Sequence, residues 1–119
     1  DIYVRQSKVD GYRARSAYKL MEIDEKFKIF KGGLSVIDIG AAPGSWSQYA
    51  MKTAKSGKLI SIDLKKMEPI DNSIQIQGDF TEEKTQEEIK KNIAEEKEFQ
   101  ILDKWFQDLR ENAYISIRI

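Results

Sequence analysis

The chain has 119 residues with 20 basic and 20 acidic side chains, no histidine and no cysteine, and is 40% hydrophobic and 34% charged. That length suits one domain, the mean hydropathy of −0.57 is that of a globular chain, and no apolar run approaches the roughly 20 residues a membrane span needs. The missing cysteines exclude disulfides and thiolate chemistry, and the missing histidines exclude Ser-His-Asp schemes and the commonest metal ligand, so no metal site is expected.

Between Asp1 and Met21 five bases (Arg5, Lys8, Arg13, Arg15, Lys19) face two acids (Asp1, Asp10), while between Glu82 and Glu98 seven acids face four lysines. The basic end suggests a polyanion docking there, and the acidic stretch a solvated helix face. In chain order, helical spacing of Ala17, Leu20, Ile23, Phe27 and Phe30 predicts a helix over about 11–30, stopped by Lys31-Gly32-Gly33. Ser35–Ile39 reads as a buried parallel strand, 40–45 as a loop, and about 46–54 as a helix. Strands follow over Lys58–Asp63 and Ile74–Gln77, with Pro69 in the connection. Thr81 is a candidate cap for a helix reaching about Glu96. Beyond it, Phe99–Leu102 reads as a fourth strand, Asp103–Glu111 as a short helix, and the alternating Ala113–Ile119 as an edge strand. The expected class is α/β, an open, mostly parallel sheet flanked by helices.

The loop Gly40-Ala41-Ala42-Pro43-Gly44 leaves the first strand at the edge where open parallel sheets bind ligands. Gly40 permits backbone conformations closed to other residues, Pro43 fixes the course, and Gly44 lets a ligand approach the main chain. The G-x-G-x-x-G of dinucleotide folds is absent, which argues against a nicotinamide cofactor. Asp38 lies in the first strand, Asp63 ends the second, and Asp79 with Phe80 follows the third. Singly, each aspartate can be a mere strand terminator. Together, around one glycine loop without phosphate-binding lysines, they suit a nucleoside that carries positive charge, such as S-adenosylmethionine.

The motifs Gly11-Tyr12-Arg13-Ala14-Arg15-Ser16-Ala17-Tyr18-Lys19-Leu20, Val36–Tyr49, Ile62-Asp63-Leu64 and Gln77-Gly78-Asp79-Phe80 occur in the order and spacing of the FtsJ (RrmJ) ribosomal RNA methyltransferases, which the chain resembles over about 1–99. The resemblance implies a Rossmann-like S-adenosylmethionine-dependent methyltransferase fold, here incomplete. It also implies methyl transfer to a ribose 2′-hydroxyl of 23S rRNA or of the assembled large ribosomal subunit. Gly44 and Trp46 match positions that hold the methionine end and body of the cofactor, Asp63 the acid on the adenosine ribose, and Asp79 the acid near the adenine amino group. Lys19 matches the first member of a lysine-aspartate-lysine-glutamate catalytic set. Without the resemblance it is an ordinary helix lysine. Arg5, Arg13 and Arg15 are expected on RNA phosphates, and Tyr12 and Tyr18 either stack on bases or pack under the helix. A single methyltransferase domain is expected, made of a basic helical segment (1–31), a cofactor-binding half (32–99) and a divergent tail (100–119). The family's second catalytic Asp, the second Lys and the Glu have no match after Phe99, so a non-catalytic cofactor- or RNA-binding member stays open as the alternative. A cytoplasmic monomer without membrane attachment is expected.

Overall fold

The computed structural model describes residues 1–54, 57–93 and 96–111. The chain divides into two compact units, Asp1–Gln77 and Gly78–Ile119. The boundary thus falls after the third strand, inside the stretch that the sequence groups as one cofactor-binding half.

The first unit holds α1 (Ile2–Asp10), α2 (Ser16–Phe27), β1 (Val36–Ile39), α3 (Ser45–Thr53), β2 (Leu59–Asp63) and β3 (Ile74–Gln77). The strands are parallel in the order β1-β2-β3, with Asp38 opposite Ser61 and Ile62 opposite Ile76. Parallel neighbours need a crossover, and α3 supplies the one between β1 and β2. Because side chains alternate along a strand, Asp38, Ser61 and Asp63 share one sheet face. α3 covers that face: Ser47 Oγ donates to Asp38 Oδ2 at 2.6 Å and lies 2.7 Å from Ser61 Oγ. Ile60 and Ile62 on the other face are fully buried, as are Ala17 of α2 and Ala50 of α3. Each isoleucine contributes on the order of 1.5–3 kcal/mol.

The three strands and α3 form where the sequence places them. The first helix does not. Residues 2–10 form a separate helix, α1, closed at Gly11 in the left-handed conformation (φ 82°), whose N–H returns to the Ser7 carbonyl. Gln48 of α3 pins the following link, accepting from the Arg13 N–H at 2.8 Å and donating to the Gly11 carbonyl at 3.1 Å. α2 ends at Phe27, before the glycine pair, because Asp24 gathers the chain early. Its carbonyl takes the Lys28 N–H, and its carboxylate takes Phe30 N–H at 2.9 Å and the Tyr49 hydroxyl at 2.6 Å. Phe27 consequently leaves the apolar stripe and is 65% exposed, while Phe30 turns back onto the Tyr49 ring.

The second unit holds α4 (Glu83–Lys91) and α5 (Glu96–Glu111). Thr81 does not cap α4. Its N–H and hydroxyl both go to Asp79 Oδ1, and the N-cap is Glu82 without a side-chain bond. The expected strand over 99–102 lies in the first half of α5 instead, continuous with the helix expected over 103–111: four mostly apolar residues are too short to compete with charges and aromatics set at helical spacing through 96–108. Ile89 and Phe106 are fully buried, and Lys90 joins the two helices through Asp103 at 2.8 Å and its own-helix Glu87 at 2.8 Å. The strand expected over 113–119 lies outside the described residues. Among those described, no helix is long and apolar enough to cross a membrane.

Candidate functional site

A cavity of about 330 Å³ opens beyond the carboxyl ends of the sheet, lined by Asp38, Ile39, Gly40, Ala41, Ala42, Pro43, Ser45, Trp46 and, from α2, Ser16. Its floor is the loop expected to carry the chemistry. Gly40 and Ala41 both donate to the Ile62 carbonyl, at 2.8 and 3.0 Å, continuing the β1–β2 ladder past the strand end. Nothing stands within 4 Å of where a side chain on Gly40 would begin, so its exposed side is open. The Trp46 indole N–H donates to the Ser16 carbonyl at 2.8 Å, and the Ser16 and Ser45 hydroxyls lie 2.6 Å apart, so the starts of α2 and α3 form one wall.

The carboxylates of Asp38 and Asp63 differ. Asp38 sits in the first strand beneath α3, and burial pushes its pKa above the usual carboxylate value; the Ser47 hydroxyl opposes the rise and neighbouring Asp63 adds to it. Asp63 is tied to the main chain through both oxygens, Oδ2 accepting from Ala42 N–H at 2.9 Å and Oδ1 from Lys65 N–H at 2.8 Å. It therefore fixes the loop as well as standing beside the cavity, and each oxygen keeps a lone pair for a further donor.

Lys19, on the exposed side of α2, lines a larger depression of about 500 Å³ with Tyr3, Arg15, Ser16, Tyr18, Met21, Glu22 and Glu25. Ser16 belongs to both hollows. The Tyr18 hydroxyl donates to Asp10, and burial followed by that carboxylate raises its pKa to about 12, leaving a neutral donor. Tyr18 and Tyr12, both half-buried, pack edge to face at 6.0 Å.

Residues 12–113 match the FtsJ-like methyltransferase family. The chain belongs to that family. Among its relatives, the ribosomal RNA large subunit methyltransferase E of Pelagibacter ubique is 76% identical over 90 residues, covering 76% of this chain and 44% of that protein. The enzyme of the same name from Nitrosospira multiformis is 47% identical over 96 residues, covering 80% and 47%. A crystal structure of a Plasmodium falciparum protein named as a ribosomal RNA methyltransferase is similar with a TM-score of 0.56 and 43% identity, covering 61% of this chain and 41% of its own. The chain thus spans less than half the length of these relatives. Its parallel strands with flanking helices are part of the Rossmann-like methyltransferase fold.

Within this FtsJ-like chain the sequence-derived site residues fall into three groups. Asp38, Gly40, Pro43 and Trp46 line one cavity, with Asp63 bonded to its loop. Asp79 and Phe80 belong to the second unit. There the Thr81 N–H and hydroxyl lower the Asp79 pKa, and Phe80 stacks on Trp105 at 6.4 Å and 12°. The third group is Gly44 with the three arginines, of which Gly44 and Arg13 depart from expectation. Gly44 has φ 115°, and a side chain on it would start 2.8 Å from Arg13 Nη1 and 2.8 Å from Met67 Cε, so the chain's own residues cover it where a ligand was expected. Arg13 turns inward onto three carbonyls rather than outward to a phosphate. Arg15 pairs with Asp1, and Arg5 stays exposed. The residues that sequence reasoning passed over are Ser16, Ser45 and Ser47. Their only signal was a cluster of small hydroxyls where helices begin, which is equally ordinary capping chemistry.

Proposed function

We propose that the protein carrying this chain transfers a methyl group from S-adenosylmethionine to a ribose 2′-hydroxyl of 23S rRNA, free or within the large ribosomal subunit, in the cytoplasm. The observation that carries the reading is the cavity at the end of β1, lined by an open glycine, an indole and the Asp38 carboxylate, with the Asp63 carboxylate bonded to its loop. That donor set fits a cationic, hydroxyl-bearing nucleoside: carboxylates accept from ribose hydroxyls and attract a sulfonium, and an indole face favours a cation. Asp38, Gly40, Pro43, Trp46 and Asp63 would hold it. By the family resemblance, Asp79 matches the acid near the adenine amino group. When bound, S-adenosylmethionine supplies an electrophilic methyl group.

The chain's own work is then positioning. The Ser16 wall shared by the two hollows supports an arrangement in which the acceptor ribose lies on the Lys19 side. Alignment of a weak nucleophile with its target is worth roughly 7–11 kcal/mol in favourable cases. The Lys19 ammonium orients the hydroxyl and stabilises the negative charge that develops on its oxygen as the hydroxyl proton passes to solvent water. Arg5 and Arg15, on the same basic end, bear on phosphates and position RNA without reading its sequence.

The test is transfer of labelled methyl to 23S rRNA and to large subunits by the full protein that carries this segment. Lys19→Ala is expected to abolish transfer while donor binding persists. Donor binding without any transfer by the wild type would instead favour a non-catalytic cofactor-binding member.

A further inference from the structure

We infer that Arg13 is a positioning residue for the methyl-donor loop and not an RNA contact. The inference rests on the proposed function for the identity of the donor. It rests on the structure alone for the clamp. The Arg13 guanidinium donates through Nη1 to the carbonyls of Pro43 (3.0 Å) and Glu68 (2.6 Å), and through Nη2 to that of Pro69 (2.9 Å). One end of the clamp is the loop that floors the donor cavity, and the other is the ten-residue connection between β2 and β3. Proline 43 and 69 contribute only their carbonyls to such a bond, and both carbonyls here have the same cation as donor.

Two further observations show that the fit is built. The Arg13 backbone N–H is fixed by Gln48 of α3, so the side chain starts from a held point. Gly44 leaves no Cβ where Arg13 Nη1 and Met67 Cε press in, so the arginine occupies the space a side chain would take. A planar fork with five donors can serve three divergent carbonyls, whereas a lysine offers one compact centre and cannot span them. Removing the fork frees 40–44 from 68–69 and lets the floor of the cavity drift from Asp63 and Trp46.

The experiment compares wild type, Arg13→Lys, Gly44→Ala and the surface control Lys8→Gln. Amide hydrogen exchange is read first in the protein without ligand. Arg13→Lys, which keeps the charge, is expected to exchange at least tenfold faster across 40–48 and 64–70 with the amides of 59–63 unchanged. Gly44→Ala is expected to speed exchange across 40–48 and 64–70 in excess of any change across 59–63, and Lys8→Gln to match wild type. Calorimetric titration with S-adenosylmethionine is read second, and Arg13→Lys is expected to weaken binding at least tenfold. Unchanged or uniformly faster exchange in both Arg13→Lys and Gly44→Ala overturns the inference. So does undiminished donor affinity of Arg13→Lys beside a wild type that binds. A wild type that takes up no donor counts against the proposed function, and the exchange comparison then decides the clamp by itself.

Discussion

Asp38 shows what the strand end asks of a single residue. Its carboxylate is buried under Ser47 and beside Asp63, and its raised pKa means that the folded state holds the proton more tightly than the unfolded chain. Stability from this group is therefore fully present below the ordinary carboxylate value of 3.8 and is lost as pH rises through the raised folded value. Asp38→Asn keeps an oxygen for the Ser47 hydroxyl and removes the titration. The melting temperature of the variant relative to wild type is expected to climb as pH goes from about 4 through the raised value. A difference that stays flat or falls in thermal melts over that range would contradict the assignment. Gly44 carries the opposite kind of constraint, one of backbone. At φ 115° an alanine is strained by roughly 1–2 kcal/mol, and urea titration should show that loss. At this scale the sequence was legible for the type and position of the cavity residues, since acids at strand ends and a glycine loop declare themselves. It was not legible for direction. Nothing in the string Arg13-Ala14-Arg15 says that the first arginine turns onto carbonyls 30 and 56 residues away while the second pairs with Asp1.

Elements were legible in proportion to how much apolar surface they bury. β2 is a buried run between two neighbours, β1 and β3 are short, half-buried runs rich in isoleucine and valine on either side of it, and all three fall where their composition puts them. α1 is the contrary case. Ile2, Tyr3 and Val9 are mostly exposed and only Ser7 is buried, so no stripe announces the helix. Its start is instead set locally, by Asp1 accepting from the Tyr3 and Val4 amides. α2 stops early through a tertiary bond no local pattern encodes, the Asp24 carboxylate on Phe30 N–H and the Tyr49 hydroxyl. Tyr49→Phe removes the hydroxyl half of that arrangement and is expected to cost about 0.5–1.5 kcal/mol in chemical denaturation. Only part of α5 was misread: Phe99–Leu102, a short mostly apolar stretch, reads as a strand by itself, while the helix expected over Asp103–Glu111 is the latter part of α5. Phe106, fully buried in the second unit, is expected to cost about 3–5 kcal/mol when replaced by alanine. Unfolding that is unaffected by Phe106→Ala would show that α5 does not depend on that packing.

For the molecule as a whole, fold class and family follow from the order in which motifs meet elements: basic helix, strand, glycine loop, helix, strand, acid, strand. Residues 12–113 carry that order as members of the FtsJ-like family, while the chain covers less than half of the relatives it most resembles. The central claim concerns the cavity beyond β1 and β2. Calorimetric titration of the chain with S-adenosylmethionine tests it most directly. The account predicts saturable one-to-one binding, weakened at least tenfold by Asp63→Ala, which removes both an acceptor and the bond to Ala42 N–H. A wild type that gives no saturable heat, or an Asp63→Ala variant that binds as tightly as wild type, would contradict it.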